Sequence, residues 1–337
     1  MKVLFICKVR EYSEDYSDWG YSDWASGLLI SAKLLSDMLN KIGISSKVVR
    51  VVDNNDIDRE VHKYRPNYVI IEALWVVPEK FHILRRLHPH VKWVVRIHSE
   101  IPFLANEGIA MKWLYGYRDL GFVHIGVNSK RIGEALKGLG FDVLMLPNYY
   151  PVDPRRARLS RRGSELRVGC FGAIRPLKNQ LMQAIAAIRC AEELKLHLEF
   201  HINHNRVENR GIEVLKNIRD LFANNINCEL VEHSWMSHHK FIELLKTMDI
   251  GMNVSLSETY SVITADMVSH NVPIVVSHEV AWAHTLSKAN PNDLDDIVKK
   301  MKIAFHNEEL IYDNKSLLRL NGRLSKQEWK RFLLQKI

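Results

Sequence analysis

The chain has 337 residues, of which 47% are hydrophobic and 26% are charged. This composition is typical of a globular protein and excludes a disordered, collagen-like or coiled-coil chain, while the length predicts two domains. Lysine and arginine total 47 against 39 aspartate and glutamate residues, a net charge of +8, which favours an anionic partner such as nucleic acid, an acidic membrane surface or a phosphorylated substrate.

The sequence carries no sign of export or of membrane insertion. The first strand starts almost at the first residue, without a charged leader, and no apolar run approaches the length of a membrane span. The cysteines are far apart and lack a CxxC pair, which argues against a zinc site or a disulfide framework; they are Cys7, Cys170, Cys190 and Cys228. We therefore expect a cytoplasmic, non-spanning protein with buried, reduced thiols.

The first half alternates short apolar, β-branched runs with segments of helical period, which predicts a parallel sheet covered by helices. The predicted strands are Val3–Cys7, Lys47–Val52, Tyr68–Ala73, Val91–Ile97, Val123–Val127 and Val143–Leu146. The first helix is predicted over Trp24–Ile42, with Gly43 as its stop. This half is Rossmann-like.

A tandem repeat, Tyr16-Ser-Asp-Trp-Gly20 and Tyr21-Ser-Asp-Trp-Ala25, follows the first strand. Its two Trp and two Tyr residues would stack on a sugar or a base if they are exposed. The alternative is a loop whose aromatic side chains pack on their own domain.

A break in composition separates the two halves. Three prolines precede the Arg-rich run 155–162, a composition that favours a linker over a helix. The run either binds an anion or is a solvated connection. We predict an N-terminal domain at 1–150, a linker at 151–163, a second domain at 164–322 and a C-terminal helix at 323–337.

The second half repeats the alternation of strands and helices. Its predicted strands are Arg167–Phe171, His197–Ile202, Cys228–Val231, Asp249–Val254 and Pro273–Ser277. Its predicted helices are Asn179–Leu194, Val207–Phe222, His239–Met248, Thr259–His270 and Asp293–Phe305. Doubly wound domains bind ligands at the carboxyl ends of their strands, so we expect two sheets that face each other across a cleft holding the active site.

The segment Val168–Asn179 carries the first chemical motif. It runs from a buried strand through a glycine turn into a helix, and it places Arg175 and Lys178 beside the amino terminus of that helix. Two cations together with free backbone N–H groups form a suitable diphosphate site.

The segment Asn253–Asp266 carries the second motif. Glu258 is predicted at a helix start, with Asp266 two turns further on. Such a helix spans about 12 Å between them, roughly the separation of the sugar and the ribose in a nucleotide sugar, so each carboxylate would hold one of these groups. Otherwise Glu258 would simply complement the helix dipole.

Two Asp-x-Asp pairs, at 56–58 and 293–295, are candidate metal ligands. Both pairs open predicted helices, where acidic side chains cap the first turn and complement the helix dipole. We therefore interpret them as exposed caps and predict no metal.

These segments resemble the large family of retaining glycosyltransferases of GT-B fold that includes bacterial mannosyltransferases and lipopolysaccharide glucosyltransferases. The resemblance rests on the strand-Gly-x-x-Arg-x-x-Lys-Asn segment at 171–179, on Ser257-Glu-Thr-Tyr-Ser261 with its partner acid, and on Asn271-Val-Pro-Ile-Val-Val-Ser277. Weaker matches, among them Ser26-Gly27 and Ile97-His98, extend it over nearly the whole chain.

The resemblance implies a nucleotide-sugar site in the second half of the chain. Arg175 and Lys178 would neutralise the leaving diphosphate, Glu258 would contact sugar hydroxyls, and Asp266 would bind the ribose. The backbone N–H groups at 259–261 would meet a phosphate. The donor-contacting residues so implied are Gly27, Gly172, Ala173, Arg175, Lys178, His233, Trp235, Glu258, Thr259, Tyr260, Ser261 and Asp266.

The family also has a histidine near the reacting centre, and His98 matches it. The catalytic residues implied by the resemblance are His98, Arg175, Lys178 and Glu258. The family's base site corresponds here to the segment His233–Trp235.

The chain departs from the family at three places. Asp266 is one methylene shorter than the usual Glu, Thr-Tyr-Ser stands where the family has Gly-Phe-Gly, and Ser26-Gly27 replaces a glycine pair. We therefore expect unusual donor geometry.

The basic, amphipathic stretch Lys326–Leu334 has two interpretations. By the family resemblance it would cross back onto the N-terminal domain and bury Trp329, Phe332 and Leu333. Alternatively, it would lie on a membrane surface. We favour the first.

We predict a metal-independent glycosyltransferase that needs no cofactor besides its donor, a nucleotide diphosphate-sugar, with a UDP-sugar favoured. The resemblance implies retention of configuration, and the acceptor would be a glycan, a glycolipid or a small molecule. Two alternatives remain open: a phage-type enzyme that glycosylates hydroxymethylated pyrimidines in DNA, and a non-catalytic GT-B protein that binds a nucleotide or a glycan. Peripheral contact with an anionic membrane is also compatible with the charge.

Overall fold

The structure, a computed structural model, describes residues 1–9, 27–153 and 163–334. The tandem aromatic repeat and the Arg-rich run lie outside these residues, and so both interpretations of each stay predictions. The described chain forms two compact units. The first contains residues 1–9, 27–150 and 321–334, and the second contains 151–153 and 163–320.

The first unit contains a six-stranded parallel sheet with the strand order β2-β1-β3-β4-β5-β6. The strands are β1 Lys2–Lys8, β2 Ser45–Val51, β3 Tyr68–Glu72, β4 Lys92–Ile97, β5 Val123–Val127 and β6 Val143–Met145. The helices are α1 Gly27–Lys41, α2 Asp56–Tyr64, α3 Lys80–Leu87, α4 Ile101–Leu104, α5 Ala110–Leu120 and α6 Lys130–Gly138. All six strands were predicted, because strands buried on both faces have nearly continuous apolar sequences.

Strand β1 shows how the sheet separates two cores. Leu4 and Ile6 point into one cluster of buried residues, whereas Val3, Phe5 and Cys7 belong to the cluster on the other face. Successive side chains of a strand alternate between faces, so the interior positions of a strand covered on both sides are mainly apolar.

The last helix of the chain, α12 Glu309–Leu334, begins in the second unit and ends in the first. Its residues Trp329, Phe332 and Leu333 are buried in the first unit. The rings of Trp329 and Phe5 have centroids 5.6 Å apart, and the indole N–H donates to the carbonyl oxygen of Pro147 at 2.9 Å. These three residues therefore form a buried face. The helix itself begins at Glu309, 17 residues before the predicted stretch Lys326–Leu334.

The second unit contains another six-stranded parallel sheet, with the order β12-β11-β10-β7-β8-β9. The strands are β7 Glu165–Gly169, β8 His197–Asn203, β9 Cys228–His233, β10 Ile250–Asn253, β11 Ile274–Ser277 and β12 Lys288–Ala289. The helices are α7 Gln180–Leu194, α8 Gly211–Ala223, α9 His238–Leu245, α10 Val262–Ser269 and α11 Leu294–His306. Each unit is thus Rossmann-like, and the predicted α/β class is confirmed. The sequence did not predict the two-residue strand β12.

The cysteines lie mainly where the sequence predicted. Cys7, Cys170 and Cys190 are buried free thiols, but Cys228 is only half-buried, which corrects the prediction for that residue. Burial raises the pKa of Cys170 to about 12, so this thiol stays protonated and unreactive at neutral pH.

None of the helices in the described part of the chain combines the length and the apolar character needed to cross a membrane.

Candidate functional site

The segments that follow β7 and β10 meet at the carboxyl edge of the second sheet. The backbone N–H of Leu256 donates to the carbonyl oxygen of Leu177 at 2.9 Å. The buried amide of Gln183 links the same segments, because it donates to the Lys178 carbonyl at 2.7 Å and accepts from the Val254 N–H at 2.8 Å. Both chemical motifs of the sequence are therefore held together at one edge.

The first motif turns sharply after β7. Gly172 has a φ of +114°, which favours glycine, and a Cβ there would lie 3.0 Å from Ile263. Its N–H donates to Asn203 Oδ1 at 3.0 Å, and the neighbouring Ala173 carbonyl accepts from Gln180 Nε2 at 3.0 Å. A 3₁₀ turn over Pro176–Lys178 then leads into α7, so Lys178 lies beside the start of that helix, as predicted.

The ammonium of Lys178 contacts the carboxylate of Glu258. Both side chains are nearly buried, with 11% and 13% exposed. Burial alone would raise the pKa of Glu258, but Lys178, together with Arg175 and the Asn253 amide, outweighs it and holds that pKa below its ordinary value. The carboxylate is therefore ionised at neutral pH and accepts hydrogen bonds only.

Arg175 has an acidic partner that the sequence reasoning missed. Its Nη1 donates to Glu208 Oε2 at 3.1 Å. Burial opposes ionisation of Glu208, but Arg206 and Arg175 outweigh it and lower its pKa. The signal was an Arg-x-Glu sequence a few residues after a predicted strand, at the sheet edge where ligands bind.

The second motif differs from the prediction at its helix. The sequence predicted a helix from Thr259, but α10 begins at Val262, so Glu258 lies in the preceding loop and not at the helix start. The helix starts late because Ser261 is its N-cap, with a φ of +60° and an Oγ that accepts from the Thr264 N–H at 3.2 Å. The estimate of about 12 Å between the two acids, which assumed one continuous helix, therefore does not apply.

The loop that contains Glu258 is fixed by hydrogen bonds. The buried amide of Asn253 donates to Ser261 Oγ at 2.7 Å, and the indole of Trp282 donates to the Tyr260 carbonyl at 2.8 Å. The N–H of Thr259 donates to the Glu258 carboxylate at 3.3 Å. The three amides predicted to meet phosphate thus lie in a defined turn before α10.

We expect Ser261→Ala to lower the free energy of unfolding by about 1–2 kcal/mol, since it removes a helix cap. Ser237→Ala is the matched control, because Ser237 is the N-cap of α9 but makes no capping hydrogen bond; its cost should stay within about 0.5 kcal/mol. Urea unfolding of both variants measures the difference. Equal losses would contradict the assigned cap.

Asp266 lies on α10 and is 1% exposed. Its carboxylate contacts Nε2 of His238, in the first turn of α9, at 2.9 Å. This contact gives the buried carboxylate a hydrogen-bonding partner from the protein.

The predicted base-site residues lie at the end of β9 and just beyond it. His233 Nε2 contacts His201 Nδ1 at 2.9 Å, and the two rings stack with an interplanar angle of 10°. Burial, reinforced by His233, lowers the pKa of His201 to about 4, so this histidine is neutral at pH 7. The backbone N–H of Trp235 donates to Asn205 Oδ1 at 2.8 Å.

His98 follows β4 at the carboxyl edge of the first sheet. Its Nε2 contacts the carboxylate of Glu72, at the end of β3, and its Nδ1 lies 3.5 Å from the amide of Asn128. Because Nε2 faces an ionised carboxylate, that nitrogen carries the proton. Burial, reinforced by Arg96 and opposed by Glu72, lowers the pKa of His98, so the ring is neutral at pH 7.

Beneath His98 lies a buried ion pair that the sequence reasoning also missed. Arg96 is 0% exposed and Glu72 is 1% exposed. Nη1 of Arg96 lies 3.0 Å from the Glu72 carboxylate, and its Nε donates to the Leu146 carbonyl at 2.8 Å. The signal was a charged residue near the carboxyl end of each of two mainly apolar strands.

Gly27 is the first residue of α1, and a Cβ there would meet no heavy atom of the described residues within 4 Å. Its neighbour Ser26 lies outside the described residues.

The two Asp-x-Asp pairs open helices, as predicted. Asp56 and Asp58 lie in the first turn of α2, and Asp293 caps α11 by accepting from the Asp296 N–H at 3.0 Å. Within residues 1–9, 27–153 and 163–334, no three His, Cys, Asp or Glu side chains are grouped as a metal site requires.

No protein-family model matches the sequence, and a comparison with curated protein sequences gives no match. Solved structures, in contrast, match almost the entire chain. A trehalose-6-phosphate synthase has a TM-score of 0.73 at 10% identity and covers 100% of this chain and 99% of its own. A sucrose-phosphate synthase from Thermosynechococcus elongatus has a TM-score of 0.68 at 11% identity, and the match covers 99% of this chain and 98% of the synthase chain. An E. coli trehalose-6-phosphate structure bound with UDP-2-fluoro glucose has a TM-score of 0.68 at 10% identity, again covering 99% and 98%.

At such low identity the likeness shows the fold alone. The matched proteins are GT-B glycosyltransferases. In its fold, this chain is therefore a GT-B protein with two Rossmann-like units, as the motifs at 171–179 and 257–277 predicted.

Proposed function

We propose that this chain is a glycosyltransferase that moves a sugar from a nucleotide diphosphate-sugar, bound by the second unit, to an acceptor hydroxyl. The observation that carries the proposal is the contact between Lys178 and Glu258, which lie 80 residues apart. It places the predicted cation for the leaving phosphate beside the predicted carboxylate for the donor sugar. The GT-B fold supports the same function.

The chemistry follows from the charges at this edge. When the glycosidic bond to phosphate breaks, negative charge develops on the diphosphate, and preorganised cations lower the energy of that transition state. Arg175 and Lys178 supply the cations. Glu258 is ionised and accepts hydrogen bonds from sugar hydroxyls.

We keep the remaining donor contacts as part of the proposal. The backbone N–H groups at 259–261 would meet a phosphate, and His233 and Trp235 would contact the base. By the family resemblance Asp266 would bind the ribose, and its carboxylate also contacts His238 Nε2.

The first unit would contribute His98 near the reacting centre. Its neutral ring, held through Nε2 by Glu72, is suited to orienting a hydroxyl rather than to neutralising a phosphate.

We propose retention of configuration, by resemblance, and a metal-independent reaction, since two side-chain cations serve the leaving group. The acceptor would be a glycan, a glycolipid or a small molecule. A cytoplasmic location would keep the four thiols reduced.

A thermal-shift screen with UDP-, GDP-, ADP- and CDP-sugars tests the proposal. A ligand at about 100 times its dissociation constant adds about 2.7 kcal/mol to the free energy of unfolding, which raises the melting temperature by roughly 5–10 °C. We expect UDP-sugars in particular to raise the melting temperature, since one structural neighbour was bound with UDP-2-fluoro glucose. Release of nucleoside diphosphate from the selected sugar then tests for turnover.

Each result of the screen has a distinct meaning. A shift with slow release of nucleoside diphosphate supports a transferase. A shift with no release, even with a range of acceptors, would instead indicate the non-catalytic alternative. No shift with any of the four sugars would contradict the proposed donor site.

A further inference from the structure

The chain after β8 runs directly beside the chain that leads from β7 to Arg175. The Ile174 N–H donates to the Arg206 carbonyl at 2.9 Å, and the Glu208 N–H donates to the Ile174 carbonyl at 2.9 Å. Ile174 and Val207 thus form a parallel bridge. The sequence predicted a helix from Val207, but α8 begins at Gly211 because the intervening backbone is used in this bridge.

Gly211 is the residue that permits this close approach. A Cβ at position 211 would lie 2.0 Å from the carbonyl oxygen of Ile174, a distance that no side chain can occupy. The bridge therefore fixes Arg206 and Glu208 beside Arg175 through backbone geometry.

Three side chains join at this bridge, and we call Arg175, Glu208 and Arg206 the Arg–Glu–Arg triad. One carboxylate oxygen of Glu208 accepts from Arg206 Nε at 2.8 Å, and the other accepts from Arg175 Nη1 at 3.1 Å. The three side chains are 20% to 32% exposed. The carboxylate holds both guanidinium groups side by side at a surface that solvent and ligands can reach.

The charges of the triad decide what it can bind. Arg175 and Glu208 alone would form a neutral pair, which attracts an anion weakly. With Arg206 the triad has a net charge of +1, whereas the nearby pair of Lys178 and Glu258 is neutral overall. The charge that Glu208 cancels is therefore restored by Arg206.

Arg206 is also held from its other side. Its guanidinium carbon lies 4.8 Å from the centroid of the Trp235 ring, a cation–π geometry. An arginine whose position is fixed in this way loses little conformational entropy when it binds a phosphate.

We propose that Arg206 is a third cation of the diphosphate site, held beside Arg175 by Glu208. The proposal rests on the proposed function in one respect only, namely that this edge binds a diphosphate. It assigns to Arg206 a phosphate contact that neither the motifs nor the family resemblance predicted. The ligand chemistry is a diphosphate group, whichever base or sugar it carries.

Calorimetric titration with inorganic pyrophosphate and with UDP tests this directly, because pyrophosphate needs no base site. Arg206→Gln should weaken the binding of both ligands about tenfold, the loss of one charge-assisted hydrogen bond. Arg206→Lys keeps the charge and should stay within about threefold of the wild type. The affinity of Arg206→Gln should also depend less steeply on salt concentration, since one cation fewer meets the ligand.

Arg219→Gln is the matched control. Arg219 forms a two-point ion pair with Glu232 at 2.6 and 2.7 Å, outside the triad. The substitution Arg219→Gln changes the net charge of the protein by the same amount as Arg206→Gln, and we expect it to leave the affinity for pyrophosphate unchanged.

A double variant separates charge from folding. Arg206→Gln with Glu208→Gln returns the local charge to +1 and should recover about threefold or more of the lost affinity. A merely structural role for Arg206 predicts no such recovery. Equal binding by Arg206→Gln and the wild type, or equal weakening by Arg219→Gln, would overturn the proposal.

The same titration distinguishes the failure of this proposal from that of the proposed function. If pyrophosphate binding depends on Arg206 but the wild type consumes no nucleotide sugar, the triad stands and the transferase function fails. If the wild type turns over a nucleotide sugar but Arg206→Gln binds UDP unchanged, the function stands and the triad proposal fails. If the wild type binds neither pyrophosphate nor any nucleoside diphosphate, the triad proposal is overturned.

Discussion

Lys178→Met should lower the turnover number with a nucleotide sugar about 10²- to 10³-fold, the usual cost of removing one group that stabilises developing negative charge. The Lys178 ammonium lies against Glu258 at the sheet edge and is almost buried, so water replaces it poorly. The charge on the leaving diphosphate is larger in the transition state than in the bound donor. We therefore expect kcat to fall more than KM rises.

The pH profile gives a second readout of the same substitution. In the wild type the pKa of Glu258 lies below its ordinary value, although burial opposes this, because Lys178 and Arg175 outweigh burial. Without Lys178 the effect of burial is opposed less strongly, so the pKa of Glu258 rises. The acid limb of the kcat/KM profile should therefore move to higher pH in Lys178→Met.

Lys246→Met is the control for this prediction. Lys246 also pairs with a glutamate, Glu243, at 2.7 Å, but both side chains are about half exposed on α9. This variant should keep the wild-type rate and pH profile. An unchanged rate in Lys178→Met would contradict the proposed role of Lys178 at the leaving diphosphate.

The fold could be predicted because its signals are local. Several strands contain apolar runs such as Val3–Cys7, and helix α11 has a clear start signal in its capping residue Asp293. Three helix starts were wrong. Helix α12 begins well before its predicted stretch, and the starts of α8 and α10 depend on interactions that the local pattern does not contain. Helix α8 starts late because Val207 pairs with Ile174, and α10 starts late because Ser261 caps it.

The candidate site could be predicted only in part, for a similar reason. The sequence places Lys178 and Glu258 at strand ends, and the parallel topology brings such ends to one edge. It does not show that Glu208 lies between two arginines, since Arg175 is 33 residues away. Nor does it show that Asp266 contacts His238, because that contact depends on how α9 packs against α10. The donor roles of these residues remain predictions.

The buried ion pair beneath His98 leads to the largest expected effect on stability. Arg96→Met removes the guanidinium that lies 3.0 Å from the Glu72 carboxylate, in surroundings that water does not reach. Leaving a buried charge without its partner costs about 3–5 kcal/mol. Thermal unfolding of the variant should show the first unit melting roughly 10 °C lower at neutral pH.

The pH dependence of this loss has a definite sign. In the wild type, Arg96 and His98 outweigh burial and lower the pKa of Glu72. The Glu72 carboxylate therefore stabilises the folded state above the pKa that it has in the unfolded chain, and this stabilisation is lost as the pH falls. In Arg96→Met the folded protein instead retains a proton, on Glu72 or on His98, that the unfolded chain releases. A group whose pKa is raised by folding stabilises at low pH, and this stability is lost as the pH rises. The loss of stability of Arg96→Met relative to the wild type should therefore be small at about pH 5 and largest at about pH 8.

Two further variants isolate the cause. Arg118→Met removes an exposed arginine of the same unit that pairs with Asp119 at 2.9 Å, and it should cost less than about 1 kcal/mol at every pH. Glu72→Gln combined with Arg96→Met removes both charges, so it should be more stable than Arg96→Met alone and lose the pH dependence. If the double variant is as unstable as the single one, packing around Arg96 matters more than charge.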